Sequence, residues 1–143
     1  MNVLMVGDIV EPGAVAGLAE RLSGLRRDRD VDPVIANAEN CAVTAPVPYG
    51  GFGMTARLVE MLLGSGVDVV TSGNYGWDGP DAEAIHRHPR VLRPHNFSEE
   101  VMGKGSRHTG DRGRADVGAQ PGQPHRRHAR GPAALRALVG SPA

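Results

Sequence analysis

The feature that most limits how this chain can fold is a threefold recurrence: a short apolar run closed by small, oxygen-bearing residues, with a helical stripe before the next run. Asn2 to Val6 leads into Gly7-Asp8, Pro33-Val34-Ile35-Ala36 into Asn37-Ala38-Glu39-Asn40, and Val67-Asp68-Val69-Val70-Thr71 into Ser72-Gly73-Asn74. The first two runs lack polar alternation, which predicts strands buried on both faces. Between the first and second, Val15, Leu18, Leu22 and Leu25 recur at helical spacing, and the stripe ends near Arg27–Asp30. Between the second and third, Thr55 is placed to cap a helix whose inner face is Leu58, Met61, Leu62 and Ser65, with Gly64 and Gly66 helping to stop it. Residues 41–53, with Pro46, Pro48, Gly50, Gly51 and Gly53, read as a long loop.

Strands alternating with helices predict a parallel, right-handed α/β layer beginning β-α-β-α-β. A further helix over Pro80–Arg87, a fourth strand at Val91-Leu92 and a loop at Arg93-Pro94-His95-Asn96 extend it. Ligands of such sheets bind beyond the carboxyl ends of the strands. Asp8, Glu39, Asn40 and Asn74 all stand at such ends.

The net charge is zero over 143 residues, and that zero conceals two unlike stretches. Residues 1–103 carry 8 Arg against 14 Asp and Glu, whereas residues 104–143 carry 8 Lys and Arg against 2 Asp. The second stretch has 7 Gly and 4 Pro, with few large apolar side chains, and is expected to be disordered because it buries too little surface to offset the entropy of ordering. Two parts follow: an α/β part over 1–103 and a basic Gly/Pro/Arg-rich tail over 104–143. One cysteine excludes a disulfide framework, and no apolar run reaches the ~18 residues of a membrane span. The start lacks the basic and long apolar regions of a secretory signal, so a cytoplasmic protein is expected.

Three strand ends that bring Asp, Glu-Asn and Asn to one rim gather hard oxygen donors of the kind divalent cations need. Each position taken singly also fits a turn residue or helix cap. Taken together, they suit a two-metal hydrolase acting on phosphate.

The motifs carrying these residues resemble those of the YmdB-like bacterial phosphodiesterases of the calcineurin-like metallophosphoesterase superfamily. They are, in order, Val6-Gly7-Asp8-Ile9-Val10, Ile35-Ala36-Asn37-Ala38-Glu39-Asn40, Gly51-Phe52-Gly53-Met54-Thr55, Gly73-Asn74-Tyr75-Gly76-Trp77-Asp78 and Leu92-Arg93-Pro94-His95-Asn96. The resemblance covers about residues 1–105. It implies a layered α/β fold with two divalent transition-metal ions, manganese or iron, and hydrolysis of small phosphodiesters such as 2′,3′-cyclic nucleotides. It also implies that Asp8 and Glu39 are metal ligands with Glu39 bridging, that Asn74 binds the second metal, and that Asn40 lines the site. Where the family has Gly-Asn-His, this chain has Gly73-Asn74-Tyr75, so the catalytic imidazole is replaced by a phenol, a poorer acid near neutral pH. Tyr75 packed at the rim is the alternative reading. The family's later Gly-Thr-His-Thr-His-like segment has no counterpart here, so the resemblance implies an N-terminal portion with an incomplete site, inactive as it stands.

His125 and His128 lie in the Arg-rich tract, where neighbouring cations oppose a metal ion, and with His108 they are not expected to be ligands. His86 and His88 are expected on a solvated helix end, while His95 is placed to approach the site. Cys41 has no partner base in sequence, and Trp77 is expected to pack under the Asn74 loop. Two readings of residues 104–143 stay open. One is an RNA-binding tail, which makes a non-catalytic metal- or RNA-binding protein the alternative function; the other is translation in a shifted reading frame of a GC-rich gene.

Overall fold

A computed structural model describes residues 2–43, 52–109 and 115–118. Its elements run β1 (Asn2–Val6), α1 (Glu11–Arg29), β2 (Val31–Asn37), α2 (Ala56–Gly64), β3 (Val69–Thr71), α3 (Ala82–Arg87), β4 (Val91–Leu92), β5 (Ser106–Thr109) and β6 (Ala115–Gly118). The first four strands form one parallel sheet in the order β1-β2-β3-β4, as the alternating pattern predicts. Each crossover steps in the same direction. Right-handed connections of that kind set successive helices on one sheet face, and α2 accordingly packs against both α1 and α3.

The core lies between the helices and that face. Val34 and Ala36 of β2, Val70 of β3 and Val91 of β4 meet Val15, Leu22, Leu58, Leu62 and Ile85, all buried. Thr55 caps α2 as expected, its Oγ1 accepting from Leu58 N at 3.4 Å. The inner face of α2 is rotated from the expected one: Val59 and Leu63 are buried beside Leu58 and Leu62, while Met61 and Ser65 are half-buried. On α1 the stripe turns out of the interface towards its end. At 100° per residue Leu25 lies about 80° around the helix from Val15, and it is exposed whereas Val15 and Leu22 are fully buried. The helix closes on Asp30, whose left-handed backbone (φ 49°) returns its N–H to the carbonyls of Arg26 and Arg27. Arg26 then bridges to Asp68 at 2.9 Å and also donates to the Gly66 carbonyl, tying α1 to the turn before β3.

One expectation is corrected: β1 is not buried on both faces. Among the described residues it is the edge of the sheet, and its second face is open, with Val3 44% and Met5 68% exposed. The same face is buried further in, where Ile35, Val69 and Leu92 cluster. Each crossover leads away from β1, so among the described residues only β2 pairs with it.

Backbone pairing continues a short way past the change of composition at Gly103. Lys104 pairs with Leu92, Arg93 N–H donates to the Lys104 carbonyl at 2.9 Å, and β5 and β6 pair antiparallel. The buried Arg93 guanidinium donates to the carbonyls of Pro94, Phe97, Val101 and Gly103, so four backbone acceptors hold the 93–103 segment around one cation. Residues 119–143, and with them the expected disorder of most of the tail as well as His125 and His128, lie outside the described residues. Among the described residues no helix is long and apolar enough to cross a membrane.

Candidate metal centre

The carboxyl ends of β1, β2 and β3 meet at one rim, as a parallel sheet requires. Asp8 follows β1 with a left-handed backbone (φ 30°), a conformation that costs a non-glycine residue free energy. The β1–α1 connection is laced to the segment after β2: Ile9 N–H donates to Asn37 O at 2.9 Å and Glu11 N–H to Asn40 O at 3.2 Å. These bonds bring the side chains together. Asn40 Nδ2 donates to Asp8 Oδ1 at 2.7 Å. A carboxylate only accepts, so the amide nitrogen faces Asp8, and the Asn40 carbonyl Oδ1 is left buried without a partner.

Glu39 is placed by its own turn. Asn37 Oδ1 accepts from Glu39 N–H at 3.2 Å, and the Glu39 carbonyl accepts from Gly53 N–H at 2.7 Å. Its carboxylate lies over Gly73, where an added Cβ would come within 2.1 Å of Oε2. Tyr75 N–H donates to the same Oε2 at 3.3 Å. Burial raises the Glu39 pKa from its ordinary value, the Tyr75 N–H opposes that rise, and the negative charge of Asp8 adds to it. Asn74 sits between Gly73 and Tyr75, both of which meet the Glu39 carboxylate. Asp8, Glu39 and Asn40 are thus drawn together, with the backbone of Asn74 at the same rim.

These donors fit one divalent cation in kind. Two carboxylates and an amide oxygen are hard ligands, and an orphaned buried carbonyl on an amide bonded to a carboxylate is the kind of group that a cation satisfies. No group of three or more His, Cys, Asp and Glu side chains suited to a metal occurs among the described residues.

Tyr75 stacks on Phe52, with ring centroids 4.2 Å apart and planes 21° apart. Cys41 is buried, and burial pushes its thiol up to about 11, so it is not a reactive thiolate near neutral pH. His95 is exposed and lies against Gly105.

The expectation for His86 fails. It is 2% exposed, with Nδ1 2.9 Å from the Ala82 carbonyl and Nε2 3.0 Å from Ser72 Oγ, and Trp77 stacks on its ring at 4.1 Å. Ala82, Ile85 and His86 share one helical stripe, and that spacing was the available signal for burial. Ser72 joins this network to the rim, since Gly76 packs on Ser72 and donates its N–H to Gly73 O at 3.1 Å. Ser72 and His86 are therefore supporting residues outside the family-like motifs, while Gly73 and Phe52 lie within them without having been assigned a role.

A 2′,3′-cyclic-nucleotide 2′-phosphodiesterase of Bacillus subtilis (strain 168) is 32% identical over 106 residues, which make up 73% of this chain and 38% of that protein. Among solved structures, a hypothetical protein from Thermus thermophilus is similar with a TM-score of 0.66 and 33% identity, over 78% of this chain and 41% of that one. A phosphatase from Mycoplasma pneumoniae shares the fold with a TM-score of 0.64 at 24% identity, over 76% of this chain and 38% of that one. The chain spans about two fifths of the length of each. A family model described as YmdB-like protein matches residues 4–119, past the expected limit near 105. Because that match takes in most of the chain and every residue of the rim, the chain belongs to the YmdB-like protein family.

Proposed function

We propose that this chain supplies part of a metal-dependent phosphodiesterase centre, with Asp8, Glu39, Asn40 and Asn74 as ligands to divalent transition-metal ions, manganese or iron. The observation that carries the reading is the buried, unpartnered Oδ1 of Asn40, whose amide is hydrogen-bonded to Asp8, a carboxylate whose charge in turn acts on Glu39. The B. subtilis relative, named for its action on 2′,3′-cyclic nucleotides, supports a small phosphodiester or cyclic nucleotide as substrate. Bound there, divalent cations would polarise a phosphoryl oxygen and activate water for attack on phosphorus. The chain's own residues hold the donors in place. Asn40 orients Asp8, Gly73 leaves room for the Glu39 carboxylate, and the Tyr75 N–H stabilises its ionised form. The Tyr75 hydroxyl can donate a hydrogen bond where the resemblance has an imidazole.

The described donors support capture of a metal better than rapid turnover, since they include no imidazole. Titration of the full chain with Mn²⁺, followed by calorimetry and by its paramagnetic resonance signal, is the test. Binding that weakens at least tenfold in Asp8→Ala is expected; binding that is absent, or unchanged in that variant, overturns the reading. Mn²⁺-dependent hydrolysis of bis-p-nitrophenyl phosphate that disappears in Asp8→Ala would show that these donors suffice for turnover.

A second reading rests on the excess of cations over residues 104–143, which suits RNA. Salt-sensitive RNA binding that survives Asp8→Ala and is lost on deleting residues 119–143 would favour it.

A further inference from the structure

We propose that Phe52 and Tyr75 form an aromatic platform that takes the base of a nucleotide ligand, making them specificity-determining residues. This rests on the phosphodiesterase reading for the phosphate end of the ligand, and on separate observations for the base. The two rings stack at 4.2 Å. Phe52 is nevertheless 43% exposed, and it joins neither apolar cluster of the core. Packing is therefore a poor account of it. A ring stacked on one side and exposed to this degree offers apolar surface to a planar ligand, and every nucleobase has a π-face that such a surface can stack.

The pair is joined to the rim from both sides of one residue. Gly53, next to Phe52, donates its N–H to the Glu39 carbonyl at 2.7 Å, and Tyr75 donates its N–H to Glu39 Oε2 at 3.3 Å. A ligand whose phosphate lies against Asp8 and Glu39 through a cation thus meets a rim whose Glu39 is hydrogen-bonded directly to the Tyr75 backbone and to the residue beside Phe52. The platform is also held rigidly. Gly53 has a left-handed backbone (φ 110°), and an added Cβ would come within 2.2 Å of the Asp78 carbonyl, so the chain beside Phe52 has little freedom. Asp78 N–H in turn donates to the Tyr75 carbonyl at 2.9 Å, which joins the two halves of the platform through one turn. Preorganised aromatic surface lowers the ordering cost of binding.

The test compares adenosine 5′-monophosphate, ribose 5-phosphate and adenosine by calorimetry on the full chain with Mn²⁺ present. The mononucleotide is expected to bind about tenfold more tightly than the sugar phosphate. That advantage is expected to vanish in Phe52→Ala and to persist in Phe52→Trp. Equal affinities for the two phosphates, an advantage that survives Phe52→Ala, or binding of none of the three compounds overturns the proposal. If Phe52→Ala does not fold, the comparison in the wild type and in Phe52→Trp decides alone. Adenosine binding that depends on Phe52, with no gain from the phosphate, would leave the platform standing while the phosphodiesterase reading failed. Loss of ribose 5-phosphate binding in Asp8→Ala, with adenosine binding retained, is expected if both hold.

Discussion

His86 Nε2 lies 3.0 Å from Ser72 Oγ, a buried polar contact at the root of the turn that carries Asn74. The Ala82 carbonyl can only accept, so Nδ1 bears the proton and the neutral ring receives the Ser72 hydroxyl at Nε2, a bond that competes with the one to the Leu92 carbonyl at 3.1 Å. Burial lowers the His86 pKa from 6.5, the Ala82 carbonyl opposes this, and the nearby Arg93 cation adds to it. The unfolded chain therefore takes up the proton first as pH falls. Stability is expected to decline below about pH 6.5, with that part of the decline absent in His86→Leu. The variant forgoes two hydrogen bonds of about 0.5–1.5 kcal/mol each at neutral pH. Urea unfolding at several pH values checks both effects; identical pH profiles for the two proteins would refute the assignment.

Glu39 has the opposite sign. Its folded pKa is raised above the ordinary 4.5, so the half-buried carboxyl favours its neutral form more than a free one does. The stability this gives is fully present below about pH 4.5 and is lost as pH rises through the folded value. Glu39→Gln is accordingly expected to raise the Tm at pH 7 without metal by a few degrees and to have little effect at pH 4. The same change should weaken Mn²⁺ binding at least tenfold. Melting curves at the two pH values, with a metal titration, test a residue retained at a cost to stability.

Gly73 and Gly53 make a matched pair. A Cβ on either comes within about 2 Å of a neighbour, but Gly73 meets the far end of the Glu39 side chain whereas Gly53 meets the Asp78 backbone and has φ 110°. Gly73→Ala should displace the carboxylate at small cost in stability and abolish metal binding. Gly53→Ala should cost about 1–3 kcal/mol, because backbone cannot rotate away and the left-handed conformation disfavours a side chain. Denaturation curves separate the two. Equal losses of stability would mean that Glu39 is held as firmly as the backbone.

Val3 and Met5 share the open face of β1 at the sheet edge. Exposed apolar edges promote pairing between chains, and a charge on the strand discourages it. Met5→Lys is expected to lower concentration-dependent light scattering with little change in Tm. Scattering that stays the same would locate self-association elsewhere.

Much of this molecule was legible in local pattern. The apolar runs and helical stripes specified four parallel strands and their helices, and Thr55 capped α2, because strand, helix and cap are set by neighbours in the chain. The rim residues were legible too, since strand ends of a parallel sheet gather on one side. Tertiary structure alone decided that β1 is an edge: an apolar run reads the same at an edge as in the middle, and strand order is a property of the crossovers. It also decided that His86 is buried, since Ser72 and Trp77, distant in sequence, supply the partners a buried imidazole needs. The pairing just past Gly103 was hidden from sequence for a related reason. Backbone pairing with Leu92 and the carbonyls gathered by Arg93 extend the fold past that residue, and neither depends on an apolar side chain in that segment.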